Sequence, residues 1–307
     1  MTAAARLALS GLAMAGAAVL LALAGGGSFL GPIPALLLFW LTAWWLNARL
    51  VRTLPPAAAA AVAPLLFGLT LLLLWELAVR LLDVPTVILP APTQIAGAFA
   101  ANLPTLWADF VQTVLKGALA GWLIGALAGV GAALLVARSD FLRRGLLPVG
   151  NFVAALPIVG TAPILVMWFG FDWQSKAAVV VAMVFFPVLV NTVAGLADTT
   201  AMQRDLMRTY GATPGQTLRL LATPAALPFL FNGLKIATTL ALIGAIVAEF
   251  FGSPTQGIGF RISTEVGRLN LPMVWASITT AALAGSAAYA LVAALERRLT
   301  FWHPSQR

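Results

Sequence analysis

Few side chains in this sequence are equipped for covalent chemistry. Cysteine is absent and the single histidine, His303, stands in a polar tail, which excludes thiolate or imidazole metal clusters, a disulfide framework and a Ser-His-Asp triad. No Gly-x4-Gly-Lys-Ser/Thr phosphate loop occurs, so ATP hydrolysis by that route is excluded as well. The ionisable residues of interest lie inside apolar stretches, where a charge is costly enough to mark function. Glu249 is the sharpest: it can pack an outer gate, pair with Arg261 or Arg268, or meet a solute. Lys235 is placed to snorkel, Lys116 either snorkels or attracts an anionic solute, and Glu76 and Arg80 stand four apart, the spacing of an intrahelical ion pair.

The elements that hold these residues follow from composition. The chain of 307 residues is 61% hydrophobic and 9% charged, against about a quarter charged in soluble proteins. Continuous apolar runs lie at about 6–25, 29–49, 61–82, 109–137, 148–169, 176–197, 229–251 and 273–296, each near the roughly 20 residues that span a hydrocarbon core. Barrel strands would alternate apolar and polar positions instead. The expected fold is an all-α membrane protein of about eight transmembrane helices. Arg6, Arg49, Arg52, Arg138, Arg143, Arg144, Arg204, Arg208, Arg219, Arg297, Arg298 and Arg307 fall at alternate boundaries, whereas the other loops contain Arg261 and Arg268. By the positive-inside rule both termini are cytoplasmic. The net charge of +8 is spread over helix ends, which excludes the clustered stripe of a nucleic-acid binder. Arg6, the first run and Ala22-Leu23-Ala24 also fit a cleaved signal, which would leave seven spans.

Along the chain, 1–54 reads as a transmembrane hairpin turning at Gly25–Ser28, 55–63 as a linker, 64–303 as a six-helix core and 304–307 as a tail. The three prolines between Val84 and Pro92 predict extended chain leading into a short helix from Thr93. Gly117, Gly121, Gly125 and Gly129 make a small-residue ridge for close helix packing. Pro157 and Pro163 interrupt the fifth run, and broken helices are tolerated where protein or a water-filled cavity satisfies the freed carbonyls. Pro157, Pro163, Trp168 and Glu249 are therefore the pathway or gate candidates.

Residues 198–228 form the longest and most polar loop on the basic side. Met202–Tyr210 predicts a short helix, Gly211-Ala212-Thr213-Pro214 a break, and Gly215–Ala222 a second helix ahead of Pro224 and Pro228. Measured from Gly211, Pro224 falls thirteen residues on, with Asp205, Leu206 and Met207 before the glycine and Leu221 and Thr223 before the proline. This resembles the E-A-A-x3-G-x9-I-x-L-P loop of binding-protein-dependent importer permeases. Gly211 and Pro224 match outright; Asp205 and Leu221 are conservative substitutes. Tyr210–Thr213, Pro224–Pro228 and Asn232–Lys235 occur in the order found in the nitrate, taurine, sulfonate and pyrimidine-precursor branch. Leu89–Pro92, Ala162–Gly170, Glu249–Ser253 and Gly257–Gly259 extend the resemblance over about 65–303, with the N-terminal hairpin outside it.

The resemblance implies a type I ABC importer permease core in the bacterial inner membrane. Asp205, Leu206, Met207, Arg208, Gly211, Ala212, Leu221 and Pro224 would be the ATPase-coupling residues, with Gly211 supplying the tight turn. It implies partners: two copies of an ATPase subunit that binds the ATP, a second permease chain forming a homodimer, and a solute-binding protein outside. The chain itself would carry no cofactor and no enzyme activity. Phe229–Lys235 and Phe301-Trp302-His303 resemble pyrimidine-precursor and riboflavin permeases more than those for nitrate, taurine or sulfonate. The alternative is a stand-alone secondary transporter, for which inverted repeats are expected.

Overall fold

The computed structural model describes residues 32–154, 156–252 and 255–302, and every regular element among them is a helix. We number these α1 (Pro32–Thr53), α2 (Pro56–Leu81), α3 (Pro92–Ala101), α4 (Leu103–Val136), α5 (Asp140–Ala154), α6 (Ile158–Phe169), α7 (Trp173–Ala197), α8 (Ala201–Thr209), α9 (Pro214–Phe251), α10 (Ile258–Gly267) and α11 (Leu271–Leu299). Six of the described helices, α1, α2, α4, α7, α9 and α11, are long and apolar enough to cross a membrane. The run expected at 6–25 lies outside the described residues. The run expected at 148–169 is divided, because Pro157 is extended (φ −68°, ψ 112°) and caps α6 rather than continuing α5. Pro163, by contrast, is carried inside α6.

Two compact units divide the chain, one extending to Ala101 and taking in Arg268–Ala276, the other comprising Asn102–Gly267 and Ser277 onward. In the first, α1 packs on α2, and Asn47 Nδ2 donates to Thr70 Oγ1 at 2.9 Å. The stretch expected as a linker over 55–63 is helical from Pro56: proline is tolerated at a first helical position and alanine is the best helix former. Glu76 and Arg80 make the expected ion pair at 2.5 Å, and Glu76 also accepts from the Thr93 backbone N–H (3.0 Å) and hydroxyl (2.8 Å). That second partner fixes the start of α3 after the non-helical segment at Val84–Ala91.

In the second unit α7 packs most extensively on α9 and then on α4. Lys176, Val180, Val184 and Val188 stand four apart on α7 and are fully or almost fully buried. They meet Gly117, Gly121, Gly125 and Gly129 of α4 in the same order: an added Cβ would lie 2.5 Å from Val180 Cβ at Gly121 and 3.1 Å from Val184 Cβ at Gly125. The glycine ridge is thus a helix-packing device, as its spacing predicts. Ala237, Ala241 and Ala245 of α9 close the same core.

Candidate functional site

Two polar regions stand out in the second unit. The first is built on α8 and the start of α9. Thr200 and Gln203 cap α8 reciprocally, with Gln203 N–H donating to Thr200 Oγ1 (3.2 Å) and Thr200 N–H to Gln203 Oε1 (2.9 Å). Thr213 and Gln216 repeat this capping box at the start of α9, at 3.3 and 2.8 Å. Each box satisfies two otherwise orphaned backbone donors. Between them α8 ends in a Schellman turn: Gly211 has φ +67°, its N–H donates to Arg208 C=O, and Ala212 N–H donates to Met207 C=O, both at 2.9 Å. That backbone conformation favours glycine.

Of the candidate coupling residues, Asp205, Leu206, Met207 and Arg208 lie on α8 and Gly211 and Ala212 in its turn, while Leu221 and Pro224 lie on α9. Asp205, Leu206 and Arg208 are exposed, with Leu206 at 55%, while Met207 and Ala212 are half-buried. Asp205 pairs with Arg208 at 3.2 Å, an exposed contact worth little energetically. Leu221 and Pro224 are half-buried on α9. The helix expected to stop before Pro224 does not stop. α9 runs on for 38 residues through both Pro224 and Pro228. A π-helical stretch at Leu218–Ala222 makes this continuity possible, since Thr223 N–H reaches back to Leu218 C=O. The wider turn gives the Pro224 ring room at the carbonyl four residues earlier.

The second region is buried at the other end of α9. Asp109, Thr113 and Glu249 are at most 2% exposed. Glu249 accepts from Thr113 Oγ1 (2.8 Å) and from the Gly259 N–H (2.7 Å). Asp109 accepts from the Gly257 N–H (2.8 Å) and from Arg261 Nε (2.8 Å), and Ile258 N–H donates to Thr113 Oγ1 (2.7 Å). Three consecutive backbone donors at the start of α10 are thus met by side chains from α4 and α9, as the positive end of a helix favours. Glycine is needed here: Gly257 has φ +129°, and a Cβ at Gly259 would strike the Ile246 carbonyl oxygen and Glu249 Cβ.

Pairing with Arg261, one of the alternatives expected for Glu249, is not made. Arg261 binds Asp109, because Glu249 faces the backbone donors of α10. Asp109, Thr113 and Lys176 were absent from the sequence-derived candidates. Lys176 is 1% exposed and donates to the carbonyl oxygens of Phe171 and Gly252. Nearby, the Asp172 carboxyl is held below its ordinary value by the Trp173 backbone N–H and then by the Gln112 side-chain amide. Lys116 is exposed, and Lys235 pairs with Glu296 at 2.8 Å.

A groove of about 490 Å³ lies among α6, α7 and α9, with Ile158, Trp168, Met183 and Phe186 in its wall. Of the pathway candidates, Trp168 lines this groove and is 74% exposed; Pro157 sets the start of α6 beside it, Pro163 lies within α6, and Glu249 belongs to the buried cluster. No group of three or more carboxylate or histidine side chains suited to a metal occurs among the described residues.

A family model described as "Binding-protein-dependent transport system inner membrane component" matches residues 121–301. The formylaminopyrimidine transport permease protein ThiX of Halalkalibacterium halodurans is 33% identical over 246 residues, covering 80% of this chain and 98% of that protein. The riboflavin transport system permease protein RibX of Chloroflexus aurantiacus is 33% identical over 237 residues, covering 76% of this chain and 88% of that one. The taurine transport system permease protein TauC of Escherichia coli is 27% identical over 240 residues, covering 76% and 86%.

Proposed function

The chain belongs to the binding-protein-dependent transport system inner membrane components, the multi-pass permease subunits of ABC importers, and from that premise we propose that α8 and the Gly211 turn are its coupling element, seated in a separate ATPase subunit. The observation that carries this reading is the combination of exposure and continuity. Leu206, Tyr210 and Met202 are apolar or aromatic and exposed on a self-capped helix, and the turn leads without interruption into α9, which spans the core to Glu249. A push on α8 is thereby delivered along one helix.

In this reading the assembly contains two copies of the ATPase, which supply ATP binding and hydrolysis, and two copies of this chain facing one another across the groove at Trp168. Both termini and α8 face the cytoplasm, in keeping with the arginine-rich boundaries. A binding protein delivers the solute at the opposite face. Family membership sets aside the stand-alone secondary transporter. For the cargo, two relatives at 33% identity are named for heterocycles, formylaminopyrimidine and riboflavin, and one at 27% for taurine; we favour a heterocycle.

The test is purification of the chain with its ATPase, from wild type and Gly211→Asp. The ATPase is expected to co-purify with the wild type, and transport to be lost in the variant. Absence of an ATPase, together with transport persisting in Gly211→Asp, would contradict the proposal.

A further inference from the structure

A second crevice, of about 430 Å³, lies in the second unit among α4, α9 and α11. Leu119 and Trp122 of α4, Leu242 of α9, and Ala288, Leu291 and Leu295 of α11 are in its wall. Ala284, Gly285, Ala287 and Ala288 are small, so α11 does not fill the space itself. Two polar side-chain atoms belong to wall residues. The Thr238 hydroxyl donates to Leu234 C=O at 2.8 Å, and Trp122 Nε1 is buried without a hydrogen-bond partner. From Ala284 to Leu295 the crevice follows α11 for about 17 Å at about 1.5 Å per residue. That is close to one leaflet, half of a hydrocarbon core about 30 Å thick.

One end of the crevice is charged. Lys235 of α9 and Glu296 of α11 pair at 2.8 Å just beyond Leu295, neutralising one another. Arg297 and Arg298 follow and are exposed. Ala284, Leu291 and Arg298 stand two turns apart on one stripe of α11, so the apolar wall leads directly to a cation. With the orientation proposed above, this end lies in the cytoplasmic leaflet, where anionic lipids attract basic juxtamembrane residues.

We propose that this crevice is a seat for one anionic phospholipid of the cytoplasmic leaflet, an acyl chain lying against Leu119, Leu242 and Ala288 and the phosphate on Arg298 and Arg297. The chain supplies apolar area that the alanines and Gly285 leave uncovered, and the two arginines select the headgroup. The seat is remote in sequence from the coupling turn and needs no ATPase to form.

The experiment uses the full chain in its ATPase complex, exchanged into a delipidating detergent and supplied with phosphatidylglycerol or phosphatidylcholine of identical acyl chains. Lipid retained per permease chain is read by native mass spectrometry. The expected result is one phosphatidylglycerol per chain, preferred by roughly thirty-fold for two arginines near an anionic headgroup. The double variant Arg297→Gln, Arg298→Gln should lose the preference. Ala288→Phe should expel both lipids, and inorganic phosphate should not displace the bound one. Brominated phosphatidylglycerol should quench wild-type tryptophan emission more than that of Trp122→Phe. Equal retention of the two lipids by the wild type would overturn the proposal without recourse to any variant. So would displacement by phosphate or quenching unchanged in Trp122→Phe. An ATPase that still co-purifies alongside any of these results would leave the coupling assignment standing.

Discussion

The two polar regions at the ends of α9 are opposites. At Glu249 every strong group is buried and already answered from within the chain: carboxylates meet Arg261, Thr113 and the first backbone donors of α10. At Gly211 the backbone is equally well satisfied by two capping boxes and a Schellman turn, yet the side chains of Met202, Leu206 and Tyr210 are exposed. The buried cluster spends its polarity on holding α4, α9 and α10 together. The exposed one makes a stable small helix with an apolar face left over, which is how a surface built for a partner differs from one built for the chain itself.

The contrast can be broken by substitution, and the largest effect is expected at Asp109. Asp109→Ala leaves the Arg261 guanidinium and the Gly257 N–H without their acceptor, a loss of about 3–5 kcal/mol for a buried pair deprived of one partner. Thermal unfolding in detergent should fall accordingly, while any folded fraction still binds the ATPase. Gly125→Leu comes next, because its side chain would be forced into Val184; overpacking costs about 1–3 kcal/mol, read in the same assay. Glu249→Ala leaves the Gly259 N–H unpaired, a penalty of about 1–3 kcal/mol that Glu249→Gln should largely recover. The smallest change in stability is expected at the exposed region: Thr213→Ala removes one cap, about 1 kcal/mol, but should weaken ATPase association more than any of the buried variants does. If the buried variants lost ATPase binding while folded, or Thr213→Ala lowered stability most, the division between the two regions would fail.

Much of the second unit was legible in the sequence because it rests on local spacing. Glycines four apart on α4 predict close packing, and α7 supplies the matching valines. Gly211 between two short polar helices predicts the turn, and the Thr-x-x-Gln pairs at Thr200 and Thr213 carry a readable capping signal that the sequence-derived expectations did not use. The buried cluster was not legible in the same way. Asp109 and Thr113 lie 145 or more residues from the α10 donors they meet, and no spacing rule reports such a contact, so the sequence offers Arg261 to Glu249 although it binds Asp109. The prolines misled for a different reason. Pro224 and Pro228 signal a helix end in water, but a π-helical turn lets α9 continue through Pro224, and Pro228 is carried inside the helix. Pro157, with no comparable accommodation, does break the chain between α5 and α6.

The coupling assignment is tested most directly by cross-linking, and the absence of cysteine from the chain makes a single introduced thiol unique. Leu206→Cys, placed on the exposed face of α8, should form a cross-link to the ATPase subunit in the intact complex, with a yield that changes when ATP is bound. No cross-link from Leu206→Cys or Met202→Cys, in a complex where Phe301→Cys captures the ATPase efficiently, would contradict the account.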